Sequence, residues 1–222
     1  MGYDWWVTNA IENGGAPLLV SWVVVVIGSI ILHELAHGWA AIRLGDETPI
    51  HTGHMTWNPL VHMGTTSLIC FALFGFAWGA MPVDPTRVRG RYGYALVAIA
   101  GPLMNIAIFV AITLAGGLWE RFGSGVGQPL YSNIEQFFWI GAVLNVALAL
   151  FNMLPVMPLD GGRVLAEFVP AYHRLAYSEN GQWLMLGVFL LFFWFGIEYV
   201  FQGSLIVTSI GREIVNGLLS FI

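Results

Sequence analysis

The chain contains 222 residues, of which 57% are hydrophobic and only 9% are charged. A soluble domain carries roughly 25% charged residues, so this composition excludes a soluble protein and indicates an integral membrane protein. The formal net charge of −5 is spread thinly along the chain and gives no reason to expect nucleic-acid binding. A single cysteine, Cys70, excludes an intrachain disulfide bond.

Four apolar runs are each long enough to cross a bilayer as a helix of about 20 residues. In chain order they cover residues 17–43, 94–118, 136–155 and 183–201. Residues 65–80 form a shorter apolar run, and residues 204–222 have apolar side chains at helical spacing, which predicts an amphipathic helix at the interface. We therefore predict an all-α polytopic membrane protein that forms a single domain over residues 1–222.

Arginine placement predicts the orientation of the spans. If residues 65–80 enter and leave by the same face, most arginines share one side of the membrane, and the positive-inside rule makes this side cytoplasmic. These are Arg43, Arg87, Arg89, Arg91, Arg163 and Arg174. Residues 65–80 are thus predicted to be re-entrant, with short β-strands around the sequence WGAMPV (78–83). The N-terminus is predicted to lie outside.

The first span carries three ionisable residues that a lipid-facing helix would avoid. His33 and His37 are four residues apart, so both imidazoles lie on one helix face and can bind one zinc ion. Glu34 lies about 100° round the helix, where a general base can reach water at the metal. An alternative is that both histidines are simply buried and bonded to helix carbonyls. A charge at mid-membrane costs about 2.5–3.5 kcal/mol, which favours a functional site.

A catalytic zinc site needs a third protein ligand. Asp160 is the only carboxylate in the apolar stretch 150–165, which follows the third span. In the predicted topology the cytoplasmic ends of the first and third spans meet, so Asp160 can fold back onto His33 and His37. The alternative is a turn residue before two glycines.

Three motifs, in this order, resemble those of the site-2 protease family of intramembrane zinc metalloproteases. They are HELAH (33–37), AGPLMN (100–105) and FNMLPVMPLDGG (151–162), and the resemblance to the compact bacterial branch without PDZ or CBS domains covers about residues 28–166. It implies one zinc ion per chain, bound by His33, His37 and Asp160, with Glu34 as general base. It also implies that Asn152 positions substrate or stabilises the oxyanion.

The implied function is hydrolysis of peptide bonds in transmembrane segments of single-span membrane proteins. The resemblance to the bacterial branch implies the bacterial cytoplasmic membrane. His33 is ten residues before Arg43, or about 15 Å along the helix, so the active site is predicted near the cytoplasmic side. The stretch 77–83 is predicted to offer a strand edge to an unwound substrate. The edge residues are Trp78, Gly79, Ala80 and Met81.

Two other functions stay open, a divalent-metal transporter and a proteolytically inactive relative that binds membrane clients. Clustering of the polar residues at one depth disfavours the transporter, and Glu34 disfavours the inactive relative. Gly101, Pro102 and Asn105 are weaker candidates that could line the cavity, but small residues and an Asn in a membrane helix favour helix packing. Asn145 is expected to form a hydrogen bond between helices. His51, His54 and His62 could form a second metal site, but single histidines in a polar loop favour an interfacial position.

Overall fold

The computed structural model describes residues 5–221, most of which are helical. The first half contains α1 (Trp6–Arg43), α2 (Thr48–His51), α3 (Pro59–Phe74) and α4 (Gly93–Phe122). After a 3₁₀ turn (Gly123–Gly125) follow α5 (Leu130–Asn152), α6 (Asp160–Phe168), α7 (Pro170–Ala176) and α8 (Glu179–Leu219). Helices α1, α4, α5 and α8 are long and apolar enough to cross a membrane, which confirms the predicted helical membrane protein with four spans.

The centre of the protein is a bundle in which α4 packs against both α1 and α5. Its apolar core includes Val25, Ile30, Ile140 and Leu144, and α3 adds Phe71 to it. Large apolar side chains cover the outside of the bundle, while several polar side chains are fully buried inside. This arrangement suits a protein surrounded by lipid, because apolar side chains can face the lipid while buried polar side chains form hydrogen bonds between helices.

Helix α1 changes direction at Gly15, two residues before the predicted first span begins at residue 17. Gly15 has φ +70°, which favours glycine, and Pro17 lacks the backbone N–H that a helix interior would use. The predicted span therefore corresponds to the part of α1 after this kink, and residues before it form an additional helical segment.

The predicted β-strands are wrong: residues 5–221 contain none. The stretch 76–84 is irregular, and α3 holds it in place. Trp78 donates its N–H to Ser67 Oγ (2.9 Å), and Ser67 Oγ donates to the Trp78 carbonyl (2.7 Å). The Ala80 N–H donates to the His62 carbonyl (2.9 Å). Because the backbone of this stretch bonds to a side chain and to a helix carbonyl, no strand ladder forms.

The chain leaves the end of α1 and later returns to it. The Asp84 N–H donates to Asp46 Oδ2 (2.7 Å), and the Arg89 N–H donates to the Leu44 carbonyl (2.8 Å). Helix α3 and the stretch 76–84 therefore form an excursion that begins and ends near the same end of α1. Re-entry of residues 65–80 into a bilayer stays a prediction.

The separate C-terminal amphipathic helix, predicted for residues 204–222, is wrong as a separate element. Helix α8 runs without interruption through Glu179–Leu219, so residues after Gly203 continue the helix that contains the predicted fourth span. Ser204, Thr208 and Val215 are buried in this half of α8. At 1.5 Å per residue the helix is roughly 60 Å long.

Candidate metal centre and active site

Two imidazoles from the last third of α1 meet inside the bundle. His33 and His37 are one helical turn apart on the buried face, and their Nε2 atoms are 3.0 Å apart. Each ring is held from the other side by α4, since His33 Nδ1 lies 2.6 Å from Asn105 Oδ1 and His37 Nδ1 lies 2.7 Å from the Val97 carbonyl. A carbonyl only accepts hydrogen bonds, so His37 carries its proton on Nδ1 and directs the Nε2 lone pair inwards.

Asp160 completes the group from the start of α6. Its Oδ2 lies 3.1 Å from His33 Nε2 and 3.3 Å from His37 Nε2. A tight turn before α6 places Asp160 beside the histidines. The backbone is packed so closely there that a Cβ on Gly161 would lie 2.2 Å from the Met153 carbonyl oxygen. The two glycines after Asp160 are therefore required by backbone packing as much as by the turn.

These three side chains fit a divalent metal ion such as zinc. Their donor atoms all lie within 4.8 Å of one another, and they form the one such group of three or more His, Cys, Asp or Glu side chains found among residues 5–221. Tetrahedral zinc with bonds of about 2.0–2.1 Å needs donors about 3.3 Å apart, close to the observed spacing. The His37 lone pair and the Asp160 carboxylate would repel each other at 3.3 Å, and a metal cation bound between them would remove this repulsion.

Gly101 on α4 leaves the space that this group needs. A Cβ on Gly101 would lie 2.4 Å from His37 Nε2 and 2.5 Å from His33 Nε2. Any larger residue would therefore occupy the place between α4 and the two metal-facing nitrogens. This is a more specific role than the helix packing that the sequence favoured for this glycine.

A cavity of about 320 Å³ lies against the metal-binding side chains. The side chains of Glu34, Asn152 and Arg163 line it, together with residues 77–81. The backbone of Gly79 lies so close to the Glu34 side chain that a Cβ on Gly79 would be 2.6 Å from Glu34 Oε1. Asn152, at the end of α5, donates its Nδ2 to the Leu148 carbonyl (3.0 Å).

The sequence-predicted site residues therefore meet in one cavity. His33, Glu34, His37, Asn152 and Asp160 all line it, and so do the four predicted substrate-contacting residues, Trp78, Gly79, Ala80 and Met81.

The loop histidines do not join this cavity. His51 is exposed and lies 3.6 Å from Glu47, and His54 contacts Thr52. His62 is buried, with its Nε2 2.7 Å from the Thr56 carbonyl. Within the described part of the chain, these histidines form no group of three metal donors.

Two features of the site were not anticipated. Asn105 contacts His33 directly, whereas the sequence favoured helix packing for it. Arg163 Nη1 lies 3.4 Å from Asp160 Oδ1 and lines the cavity. Its spacing three residues after Asp160 was the available signal, because residues three apart share a helix face.

Comparison with known proteins agrees with this geometry. The family model described as peptidase family M50 matches residues 21–195. A Bacillus subtilis protein named "Putative zinc metalloprotease YwhC" is 34% identical over 175 residues, which cover 77% of this chain and 78% of that protein. "Putative zinc metalloprotease Rip2" of Mycolicibacterium smegmatis is 27% identical over 183 residues, covering 76% of this chain and 66% of that protein.

A longer relative matches over only part of its length. "Putative zinc metalloprotease sll0528" of Synechocystis is 28% identical over 159 residues, which cover 71% of this chain and 34% of that protein. No solved structure matches this chain.

Proposed function

This chain belongs to peptidase family M50, the family of site-2 proteases, and we propose that it cleaves transmembrane segments of single-span membrane proteins. The observation that carries this proposal is the meeting of His33, His37 and Asp160 with Glu34 in one cavity inside a membrane-type helix bundle. Lipid and membrane-embedded substrates are the partners that the family implies.

His33, His37 and Asp160 hold the zinc ion in this proposal, one ion per chain. When bound, zinc supplies a Lewis acid that polarises a peptide carbonyl and lowers the pKa of water. Arg163 contacts Asp160 through Oδ1, the carboxylate oxygen that the histidines do not contact. Neighbours of this kind fix the orientation of metal ligands.

Glu34 acts as the general base and acid. Its carboxylate accepts a proton from the attacking water and gives it to the amine that leaves after the peptide bond breaks. Its position in the cavity next to Gly79 supports this role, because substrate backbone lying along residues 77–81 would pass beside it. Asn152 lines the same cavity and is assigned to substrate positioning or to the oxyanion.

Residues 77–81 bind the unwound substrate through their backbone. The N–H groups of Trp78 and Ala80 are bonded to α3. In extended backbone, alternate residues direct N–H and C=O groups to opposite edges, so Gly79 and Met81 are left to pair with a substrate segment. Such pairing would expose a substrate carbonyl that a helix otherwise conceals.

The site lies near the cytoplasmic face in this proposal, and the N-terminus lies outside. His33 is ten residues before Arg43, or about 15 Å along the helix. The contacts of Asp84 and Arg89 with the end of α1 support a re-entrant α3 excursion. The bacterial relatives support the bacterial cytoplasmic membrane.

The alternative transporter function needs ligands along a path across the membrane. Among residues 5–221 the single group of three metal donors lies at one depth, and this disfavours a path. No observation favours a transporter over a protease.

The deciding experiment is cleavage of a panel of single-span peptides by detergent-purified protein, with and without a zinc chelator. We expect cleavage that the chelator abolishes and that falls about 10²–10⁴-fold in Glu34→Gln, because the base is removed while the metal ligands remain. Glu47→Gln, in the exposed α1–α2 connection, is the matched control and should cleave normally. Full activity in Glu34→Gln would refute the protease mechanism.

A further inference from the structure

Buried amide side chains connect the metal centre to a helix that carries no metal ligand. Asn105 of α4 lies between His33 of α1 and Asn145 of α5, and Asn145 also contacts Ser29 of α1. Both asparagines are completely buried. We propose that Asn145 is a positioning residue that acts through Asn105 to hold His33 in the tautomer whose Nε2 can bind the metal.

Asn145, Asn105 and His33 form a hydrogen-bonded relay, and the orientation of its two amides is set at Asn145. Asn145 Nδ2 lies 2.9 Å from the Gly141 carbonyl oxygen and 2.9 Å from Ser29 Oγ. A carbonyl oxygen can only accept a hydrogen bond, so the amide atom next to it must be the nitrogen. The chemistry of Gly141 therefore fixes which way the Asn145 amide faces, although asparagine O and N atoms look alike.

The orientation of the Asn145 amide determines the hydrogen bonds from Asn145 to Asn105 and from Asn105 to His33. With its nitrogen bonded to Gly141 and Ser29, Asn145 presents Oδ1 to Asn105 Nδ2 at 3.0 Å. Asn105 then presents Oδ1 to His33 Nδ1 at 2.6 Å. Because an amide oxygen only accepts, His33 must carry its proton on Nδ1. Its Nε2 lone pair is left for the metal, which is the tautomer that a ligand needs.

His37 does not depend on the relay. Its Nδ1 bonds directly to the Val97 carbonyl (2.7 Å), and a helix carbonyl cannot reverse its polarity. The amide of Asn105 could turn over if nothing held it, and would then offer a donor to His33. Asn145 removes this freedom, since turning Asn105 over would place two oxygens against each other in a buried site, where unpaired polar atoms are costly.

Simple interhelical packing explains the presence of the hydrogen bonds but makes a different prediction about substitutions. If Asn145 only packs α5 against α4, then replacing it should have the same effect whatever residue occupies position 105. If Asn145 acts by orienting Asn105, its replacement should matter only when residue 105 has distinguishable donor and acceptor ends. A carboxylate at position 105 accepts from His33 in either orientation.

The test is a double-mutant cycle with zinc affinity as its readout. The dissociation constant is measured by chelator competition on detergent-purified protein for the parent, Asn145→Leu, Asn105→Asp and the double variant. Loss of a group that orients a metal ligand typically weakens metal binding 10–100-fold, so we expect N145L to weaken zinc binding about tenfold or more. In the N105D background a carboxylate oxygen already faces Asn145 Oδ1, so N145L should cause no loss of zinc affinity. Asn145→Ala, which adds no larger apolar group, provides the same comparison if N145L is not recovered folded.

Thr113→Val is the matched control for burial. Thr113 lies on α4 like Asn105, is buried, and bonds only to the Phe109 carbonyl of its own helix (2.7 Å). Its removal should leave the zinc affinity unchanged. The visible spectrum of the Co²⁺-substituted protein should change in N145L and stay unchanged in T113V, because the spectrum follows the ligand arrangement and not helix packing.

Two results would overturn the inference. One is an equal loss of zinc affinity on N145L in both backgrounds, which would make Asn145 a packing residue. The other is an unchanged zinc affinity in N145L with Asn105 present. The inference rests on zinc ligation by His33 within the proposed function, but its readout is metal binding. A relay that behaves as expected in a protein that cleaves no peptide would refute the proteolytic function alone.

Discussion

At the scale of single residues, the candidate metal centre depends on side chains that are far apart in the sequence but lie close together in the structure. His33 and His37 come from α1, and Asp160 comes from the start of α6. Gly101 of α4 leaves room beside the two imidazoles, because it has no side chain. Each of these residues makes a different contribution, so single substitutions should separate metal binding from catalysis.

The first prediction concerns zinc content. The purified protein should hold about one zinc per chain, and His33→Ala or Asp160→Ala should lose most of it, because three protein ligands hold a catalytic zinc. Metal analysis after dialysis measures this. His51→Ala, an exposed histidine bonded only to Glu47, should keep its zinc. Full zinc retention in Asp160→Ala would remove Asp160 from the ligand set.

Gly101→Ala should also lose zinc, although alanine favours a helix by about 1 kcal/mol over glycine. The added methyl group would lie 2.4–2.5 Å from both metal-facing nitrogens, so the imidazoles must move. Gly28→Ala on α1 is the control, since nothing lies within 4 Å of its added Cβ. Equal zinc content in the two variants would show that α4 does not shape the metal centre.

At the scale of elements, the stretch 76–84 takes its conformation from α3. Ser67 is fully buried and bonds both the N–H and the carbonyl of Trp78. Helix α3 itself begins where Asn58 caps it, by accepting the Leu60 N–H. The proposed substrate-binding stretch is thus irregular backbone that a neighbouring helix holds in place.

Ser67→Ala should weaken substrate binding and keep the zinc ion. Two hydrogen bonds are lost, each worth about 0.5–1.5 kcal/mol, so kcat/KM for a peptide substrate should fall roughly 5- to 100-fold. Most of the loss should appear as a higher KM. Ser204→Ala, which is equally buried but bonds only to its own helix, is the control. An unchanged kcat/KM would argue against substrate binding at residues 77–81.

At the scale of the whole molecule, the two ends of the bundle differ in chemistry. Arg212 of α8 bridges Glu120 at the end of α4 and Glu135 near the start of α5, both at 2.8 Å. The candidate metal-binding residues lie near the other end of α5, roughly 25 Å away along the helix. The orientation of the bundle therefore decides which compartment supplies water to the site.

Cysteine labelling in intact cells tests this orientation. In a Cys70→Ala background, single cysteines at Glu47, Thr86 and Ser178 should resist an impermeant thiol reagent, whereas one at Ser124 should react. All four positions are exposed, so accessibility depends on the side of the membrane. Labelling at Thr86 but not at Glu47 would mean that residues 65–80 cross the membrane completely, contrary to the contact between Asp84 and Asp46.

The sequence by itself determined the membrane class, the four helices long and apolar enough to span a membrane, and the side chains of the candidate metal centre. Hydropathy over about 20 residues reports a span directly, and a four-residue spacing puts His33 and His37 on one face whatever surrounds the helix. The turn at Asp160 was also readable, because Gly161 and Gly162 follow it in a proline-rich stretch. These signals are local, and the tertiary structure did not have to supply them.

Only the tertiary structure decided the conformation of residues 76–84, the continuity of α8 and the hydrogen-bond partners of Asn105 and Asn145. A strand forms by pairing with another strand, whereas the backbone at Trp78 bonds to helix α3. The second half of α8 buries Ser204 and Thr208 in the bundle, which its own periodicity did not indicate. An asparagine in a membrane helix has the same local pattern whether it packs or orients a ligand, and the difference depends on hydrogen-bond partners 40 and 72 residues away.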